Sequence, residues 1–254
     1  RHLFCTYGYQ YWEGTDEEGD VAAMKQHRLL LPLLILLLIF VACRREWLPT
    51  EEDYTDYGWT LYQDGRFKES NHWFQNAIDE NMNYKDGYNG MGWSEQKMSL
   101  WNTEPNLDNA IDHFKKGLKK DDNPRSLHNV DFDLFAGLTF SYSIKDPAGT
   151  TYYTDSTIFY GDSLIKLINE EQYEQTWYFP HDTTTDYLDI HVTLAWAKFL
   201  KKQYNVSLED HVRLLEDKCG WPTISPDFQT ATGIHELAAR IEELADHLYN
   251  NTCR

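Results

Sequence analysis

Tyr54-Thr55-Asp56-Tyr57-Gly58-Trp59 and Tyr88-Asn89-Gly90-Met91-Gly92-Trp93 carry the same glycine-tryptophan pair, with thirty-four residues between one pair and the next. A fixed interval of that length is the mark of stacked helix-turn-helix hairpins, each of which buries its apolar face only against its neighbours. Glycine belongs where two helix backbones approach closely, and the turn signal Asp64-Gly65 separates the first helix from its partner. The sequence therefore predicts an all-α array of helical hairpins, an α-solenoid, opening near Glu52.

The residues around the pair extend the pattern. In the first unit Tyr57 and Gly58 lie in the first helix, and Ser70, Phe74 and Ala77 occupy the inward face of the second. In the second unit Tyr88, Met91 and Gly92 are followed by Ala110, Phe114 and Gly117. Phe74 and Phe114 are forty residues apart, so the loop around Leu100-Pro105 carries six more than the repeat requires. Loop-closure entropy grows slowly enough with length to tolerate this. Over Glu52-Asp121 the chain resembles tetratricopeptide repeat proteins, with Tyr54 at the position usually held by Trp, Tyr57 at a Leu position and Met82 where the closing Pro would stand. That resemblance implies a scaffold that holds a protein or peptide partner rather than an enzyme, with no cofactor. It also implies a concave groove made by Thr55, Trp59, Tyr62, Gln63, Asn89, Trp93, Gln96 and Lys97. Flat rings there can stack on a peptide side chain or a sugar face at small entropic cost. The competing reading has Trp59 and Trp93 filling the gap between successive hairpins.

Downstream the repeats diverge. Ala136-Gly137 with Phe140 opens a third unit, whose second helix carries Ser156, Tyr160 and Ser163 after a loop at Lys145-Asp155. Leu194-Ala195-Trp196 sits in a helix expected over about Thr185-Gln203, and Ser207 with Asp210 forms a capping-box-like start for another that stops near Gly220. From Gly233 to Tyr249, Ile234, Leu237, Ala238, Ile241, Leu244, Ala245 and Leu248 share one face, giving a closing helix. Thr150-Tyr153 and Trp177-Phe179 are rich in β formers. The organisation expected is two repeats over 52–121, divergent helical repeats over 122–205 and C-terminal helices over 206–254.

The N-terminus carries a different signal. Met24-Lys25-Gln26-His27-Arg28 is basic, Leu29-Ala42 is an apolar run of fourteen, and Cys43 follows at once. Such a run is shorter than the roughly 20 residues that cross a bilayer as a helix, and Pro32 interrupts it. Phe40-Val41-Ala42-Cys43 resembles the lipobox of bacterial lipoproteins, with Phe in place of the usual Leu. The resemblance implies a signal peptide at 24–42, cleavage before Cys43 and acylation of its thiol with palmitate-type chains. It further implies a membrane anchor with linker at 43–51. The alternative is an uncleaved signal anchor, which Arg44 and Arg45 favour. Arg44 after the cysteine implies outer-membrane sorting, with the domain facing periplasm or surface. Residues 1–23, in which Glu17-Glu18-Gly19 is encoded by purine-rich codons at about ribosome-binding distance before Met24, read as sequence upstream of the true start.

Charge narrows the partners. The chain has 41 acidic and 23 basic side chains, and without the residues before Cys43 a net charge of −16 remains. Nucleic acid is excluded on that balance, since the excess would repel phosphates. After Cys43 only Cys219 and Cys253 remain, either as a disulfide in an oxidising compartment or as two separate thiols.

Motifs for chemistry are sparse. His235-Glu236 begins like a zincin helix, but residue 239 is Ala where the second histidine would be needed. Gly87-Tyr-Asn-Gly90-Met-Gly92 lacks the Lys-Ser/Thr ending of a phosphate loop and reads as helix-crossing packing. His181, Asp182, Asp186, Asp189 and His191 form the densest His/Asp cluster, with Asp182 or a nearby threonine expected to cap the following helix. No metal site is assigned. Two rival functions stay open: a carbohydrate-binding lipoprotein of a glycan-uptake system, and an envelope hydrolase using the His181-His191 segment.

Overall fold

The computed structural model describes residues 48–99, 103–121, 124, 128–170, 177–250 and 252–253. The expectations for 1–23, for the signal peptide, for Cys43 and for the linker up to residue 47 lie outside the described residues. From Pro49 onward the described chain is one unit, all-α, with neighbouring helices packed in pairs. In chain order the helices are α1 (Glu51–Gln63), α2 (Phe67–Glu80), α3 (Lys85–Ser99), α4 (Thr103–Gly117), α5 (Val130–Lys145), α6 (Tyr153–Glu170), α7 (Tyr187–Leu200), α8 (Val206–Cys219) and α9 (Ala231–Tyr249).

Local chemistry sets the ends. Thr50 and Asp53 form a reciprocal capping box at α1, and three acidic residues in its first turn favour the positive end of the helix. The loop expected around Leu100-Pro105 is shorter than its insertion suggests, because Thr103–Pro105 already belong to α4. Proline is tolerated in a first turn, where its missing N–H has no intrahelical partner. The cap of α7 is Asp186, again in a capping box with Asp189, rather than Asp182. The cap of α8 is Asn205, whose side chain accepts from the Leu208 amide at 3.2 Å. Ser207 lies inside the helix, where its hydroxyl accepts from the Lys198 ammonium at 2.7 Å. Gly220, at φ 68°, ends α8 in the left-handed conformation that glycine adopts without strain.

Hairpins α1/α2, α3/α4, α5/α6 and α7/α8 stack in order. Their first helices form a second row of contacts, α1 on α3, α3 on α5 and α5 on α7, while α9 closes the array against α7 and α8. Rings set into glycine notches fix the spacing. A Cβ on Gly58 would meet the Phe74 ring at 2.7 Å and one on Gly90 would meet it at 2.3 Å. Phe114 is held the same way between Gly92 (2.4 Å) and Gly137 (2.3 Å). Each ring therefore lies between the first helices of two successive hairpins, fully buried. Ala77, Ala110 and Gly117 are buried beside them, the last against Leu134. Tyr57 lies elsewhere: it is 46% exposed, with its ring edge-on to Trp73.

Two apolar clusters result. One is rich in aromatic rings and runs from Trp59 through Phe114 to Leu194; the other has an aliphatic centre that joins α7, α8 and α9 through Leu188, Leu208, Val212, Leu215, Leu237, Ile241, Leu244 and Leu248. Cys219 and Cys253 are joined as a disulfide that ties the chain after α9 to the end of α8. Thr150-Tyr153 forms no strand; it leads into α6 through a loop in which the Asp146 carboxylate accepts from Thr150, Thr151 and Thr154. Those bonds hold the Asp146 carboxyl well below its usual range, against the opposing effect of burial.

Candidate functional site

The inner row of first helices is covered by the connection between α6 and α7. Trp177, Tyr178 and Phe179 alternate in the manner of an extended segment, with Trp177 and Phe179 buried and Tyr178 58% exposed. The segment turns back on itself: the Phe179 amide donates to the Thr185 carbonyl at 2.9 Å and the Tyr187 amide to the Trp177 carbonyl at 2.9 Å. The Asp182 amide donates to the Phe179 carbonyl, and the Thr185 amide to that of Asp182. Among the described residues, Tyr178 with Asp186 makes a single antiparallel bridge and no strand forms. The result is a short finger, 177–186, laid across α1, α3 and α5.

Its side chains make the contacts. Phe179 stacks on Trp93 with ring centres 4.1 Å apart, and meets Trp59 and Tyr62 edge-on at 5.8 and 6.1 Å. His181 lies flat on Trp59 at 3.7 Å. Burial drives the His181 imidazole down to about 3, with a smaller push from His128, so it stacks as a neutral ring. Asp182 pairs with Lys97 at 3.0 Å and accepts from Thr184. Burial would raise the Asp182 carboxyl, but these donors hold it below its ordinary range.

Beneath the finger lies a buried carboxylate pair. Trp59 donates its indole N–H to Asp86 at 2.8 Å, and Trp177 donates its own to Asp133 at 3.0 Å. The Asn89 amide nitrogen spans both acids, at 3.1 and 3.4 Å. His128 Nε2 lies 2.9 Å from each oxygen of Asp133. Burial pushes the Asp86 carboxyl up to about 6 and also raises Asp133, against the pull of their donors. His128 is raised: burial opposes its charge, but the bond to Asp133 and the charge of that carboxylate prevail.

The eight groove candidates therefore divide. Trp59, Tyr62, Trp93 and Lys97 meet around the finger. Asn89 reaches the buried acids, and Gln96 donates to the Gly137 carbonyl and the Ser141 hydroxyl on α5 at 3.1 and 2.8 Å. Thr55 bonds back to its own helix at the Glu52 carbonyl. Gln63 is exposed at the finger's edge, where a shallow hollow of about 420 Å³ is lined by Tyr62, Gln63, Lys97 and His181 among others. Three polar atoms on this face are buried without a hydrogen-bond partner: Tyr62 Oη, Asn89 Oδ1 and Trp93 Nε1.

The His/Asp cluster of the sequence does not converge. His181 and Asp182 belong to the finger, Asp186 and Asp189 cap α7, and His191 faces His211 on α8 with Nδ1 atoms 2.8 Å apart. The Lys198 ammonium donates to Asp162, to Ser207 and to His211 Nε2 at 3.1 Å. His211 must then carry its proton on Nδ1 and donate it to His191 Nδ1, which leaves the proton of His191 on Nε2. Burial lowers His191 to about 4 and His211 to about 3, with neighbouring charge adding to both shifts. No group of three or more His, Cys, Asp or Glu side chains among the described residues is placed to hold a metal.

Asp86, Asp133, His128 and the rings of Trp177 and Phe179 were not among the sequence candidates. The alternation at Trp177-Tyr-Phe179 was the available signal, but it carries no information about which helices it meets. The chain matches no protein-family model and no curated protein.

Proposed function

We propose that this protein is a helical-repeat scaffold of the tetratricopeptide kind that binds a protein or peptide partner, anchored in a bacterial cell envelope through Cys43. The observation that carries the reading is the inner face of the hairpin array, which seats an extended aromatic segment on Trp59, Tyr62 and Trp93 with an acidic residue on Lys97. A face built of rings and amides that holds one peptide segment has the chemistry to hold another. The basic region, apolar run and cysteine at 24–43 support the anchor, and the Cys219–Cys253 disulfide suits an oxidising compartment outside the cytosol. The acidic excess favours a soluble domain standing off the bilayer.

The binding reading is tested by photocrosslinking from two positions of the intact, membrane-bound protein. A crosslinker at Gln63, exposed beside the finger, should capture a defined protein; one at Lys68, exposed on α2, should not. Identical captures from both sites, or a Gln63 adduct composed only of glycan, would count against a peptide-binding face. The anchor is checked separately by palmitate labelling: Cys43→Ser should abolish it and leave the larger precursor, whereas unchanged migration and labelling would remove the lipoprotein reading.

A further inference from the structure

The finger fills the inner face without satisfying it. Tyr62 Oη, Asn89 Oδ1 and Trp93 Nε1 are all buried with no hydrogen-bond partner, on residues 3%, 0% and 2% exposed. A buried polar atom without a partner is penalised by its full desolvation, and native folds leave few of them. Three on one face mark a surface shaped for an occupant whose polar atoms reach them. The finger leaves all three unmet, while its own Phe179, Asp182 and Thr185 amides bond to finger carbonyls and its Trp177 carbonyl accepts from the Tyr187 amide of α7. Side chains hold it on this face: the rings of Phe179 and His181, the Trp177 indole on Asp133 and the Asp182 carboxylate on Lys97. Withdrawn together, residues 177–185 would keep the Phe179–Thr185, Asp182–Phe179 and Thr185–Asp182 backbone bonds and give up the bond from the Tyr187 amide to the Trp177 carbonyl, while Asp186 stays to cap α7.

We infer that 177–185 is a built-in competitor in a peptide-binding groove, displaced by an extended partner peptide that carries an aromatic residue for the Phe179 slot and a carboxylate for Lys97. An extended peptide presents main-chain carbonyls and amides along its whole length. The carbonyls accept from Tyr62 Oη and Trp93 Nε1, and an amide donates to Asn89 Oδ1, so the partner gains bonds the finger never makes. The finger competes at the high effective concentration of a tethered segment, which keeps the groove closed until a better-matched ligand arrives. This rests on the scaffold reading above and specifies its ligand.

The test uses the intact chain and a synthetic probe, acetyl-Trp-Ala-Phe-Pro-Tyr-Asp-amide, followed by calorimetry and amide hydrogen exchange. Trp177→Phe keeps a ring but removes the indole bond to Asp133, so the probe should bind it about tenfold more tightly than the parent. Exchange over 177–187 should rise on binding while α3 stays protected. Tyr62→Phe removes only the unpaired hydroxyl: the unliganded protein should melt no lower than the parent, yet bind the probe several-fold more weakly. Should Trp177→Phe not fold, Asp182→Ala releases the Lys97 anchor and should also bind the probe more tightly than the parent. The inference falls if no variant binds the probe at millimolar concentration, or if binding leaves exchange at 177–187 unchanged. It falls equally if Tyr62→Phe binds as well as the parent, or if the weakened finger instead exchanges between two copies to give a dimer. Crosslinking from Gln63 is read independently, so a captured partner with a failed probe would retain the scaffold and reject only this ligand class.

Discussion

The two apolar clusters solve the same packing problem with different materials. In the repeat half each hairpin is locked to the next by a phenylalanine ring pressed into two glycine backbones, Phe74 between Gly58 and Gly90 and Phe114 between Gly92 and Gly137. At the C-terminal end, leucine, valine and isoleucine of α7, α8 and α9 interdigitate, and a disulfide closes the periphery. The first arrangement is rigid, because backbone cannot move into the space a ring would leave. The second can relax, because branched side chains have alternative rotamers.

The largest expected effect comes from removing a lock. Phe114→Ala should destabilise by about 3–5 kcal/mol, at the upper end for its class, since its cavity is walled by two helix backbones. Leu215→Ala, also fully buried but among aliphatic neighbours, should fall at the lower end of about 2–5 kcal/mol. Urea titrations followed by helical circular dichroism measure both. Equal losses would erase the distinction between a locked and a deformable core, and separate melting of α1/α2 and α3/α4 would contradict a continuous array.

This difference also explains what could be read in advance. Gly58, Phe74, Gly92 and Phe114 recur at nearly fixed spacing because each ring needs a glycine in the first helix of its own hairpin, as well as one in the next, so the lock writes itself into the sequence as a period. The aliphatic end has only the 3.6-residue rhythm of α9, which reveals a helix but not its neighbours. The finger is less legible still. Trp177 and Phe179 find partners 44 and 86 positions earlier, at Asp133 and Trp93, and no local pattern encodes contacts at that distance. Asp182 resembles a helix cap because an acid before an apolar run usually is one; here the turn at 182–185 carries it to Lys97 and leaves Asp186 to cap α7.

The disulfide is the next test of the deformable end. It closes a span of 34 residues, for which chain entropy alone gives roughly 3–4 kcal/mol. Cys253→Ser should lower stability by about that amount and raise amide exchange in α9 before α3. A uniform rise across both would mean that the two ends unfold as one unit.

Two groups of buried residues respond oppositely to pH. Asp86 has a folded value of about 6 against an ordinary 3.8, so the fold holds a proton that the unfolded chain releases. Its stabilising effect is complete below about pH 3.8 and is lost as pH rises through 6, a change of about 3 kcal/mol. His128, also raised, extends that loss above its ordinary 6.5. The α7/α8 pair runs the other way: His191 at about 4 and His211 at about 3 stay neutral in the fold. Their contribution is complete above pH 6.5 and is lost as pH falls toward those values. Asp86→Asn should therefore flatten the decline between pH 4 and 6 as seen in denaturation midpoints, leaving the acid-side loss from the histidines in view. A variant whose stability still falls over that range would place the raised carboxyl elsewhere.

The smallest effect is expected at Tyr57, next to a glycine packed directly against the Phe74 ring. The repeat pattern puts Tyr57 and Gly58 together as packing residues, yet only Gly58 is buried against Phe74. Adjacent residues on a helix point about 100° apart, so a glycine turned squarely toward its partner helix leaves its neighbour at the margin. Tyr57 keeps one ring contact, edge-on to Trp73 with centres 4.8 Å apart, and leaves nearly half its surface in water. Edge-on aromatic pairs contribute about 0.5–1.5 kcal/mol beyond burial, and a side chain so exposed leaves no closed cavity behind. Tyr57→Ala should accordingly cost about 1 kcal/mol, a fraction of the loss at Phe74 although the two positions belong to the same repeat. A loss approaching that of Phe74→Ala in the same urea titration would show that Tyr57 is part of the lock, and that the ring-in-glycine contact is not what separates the rigid half from the deformable one.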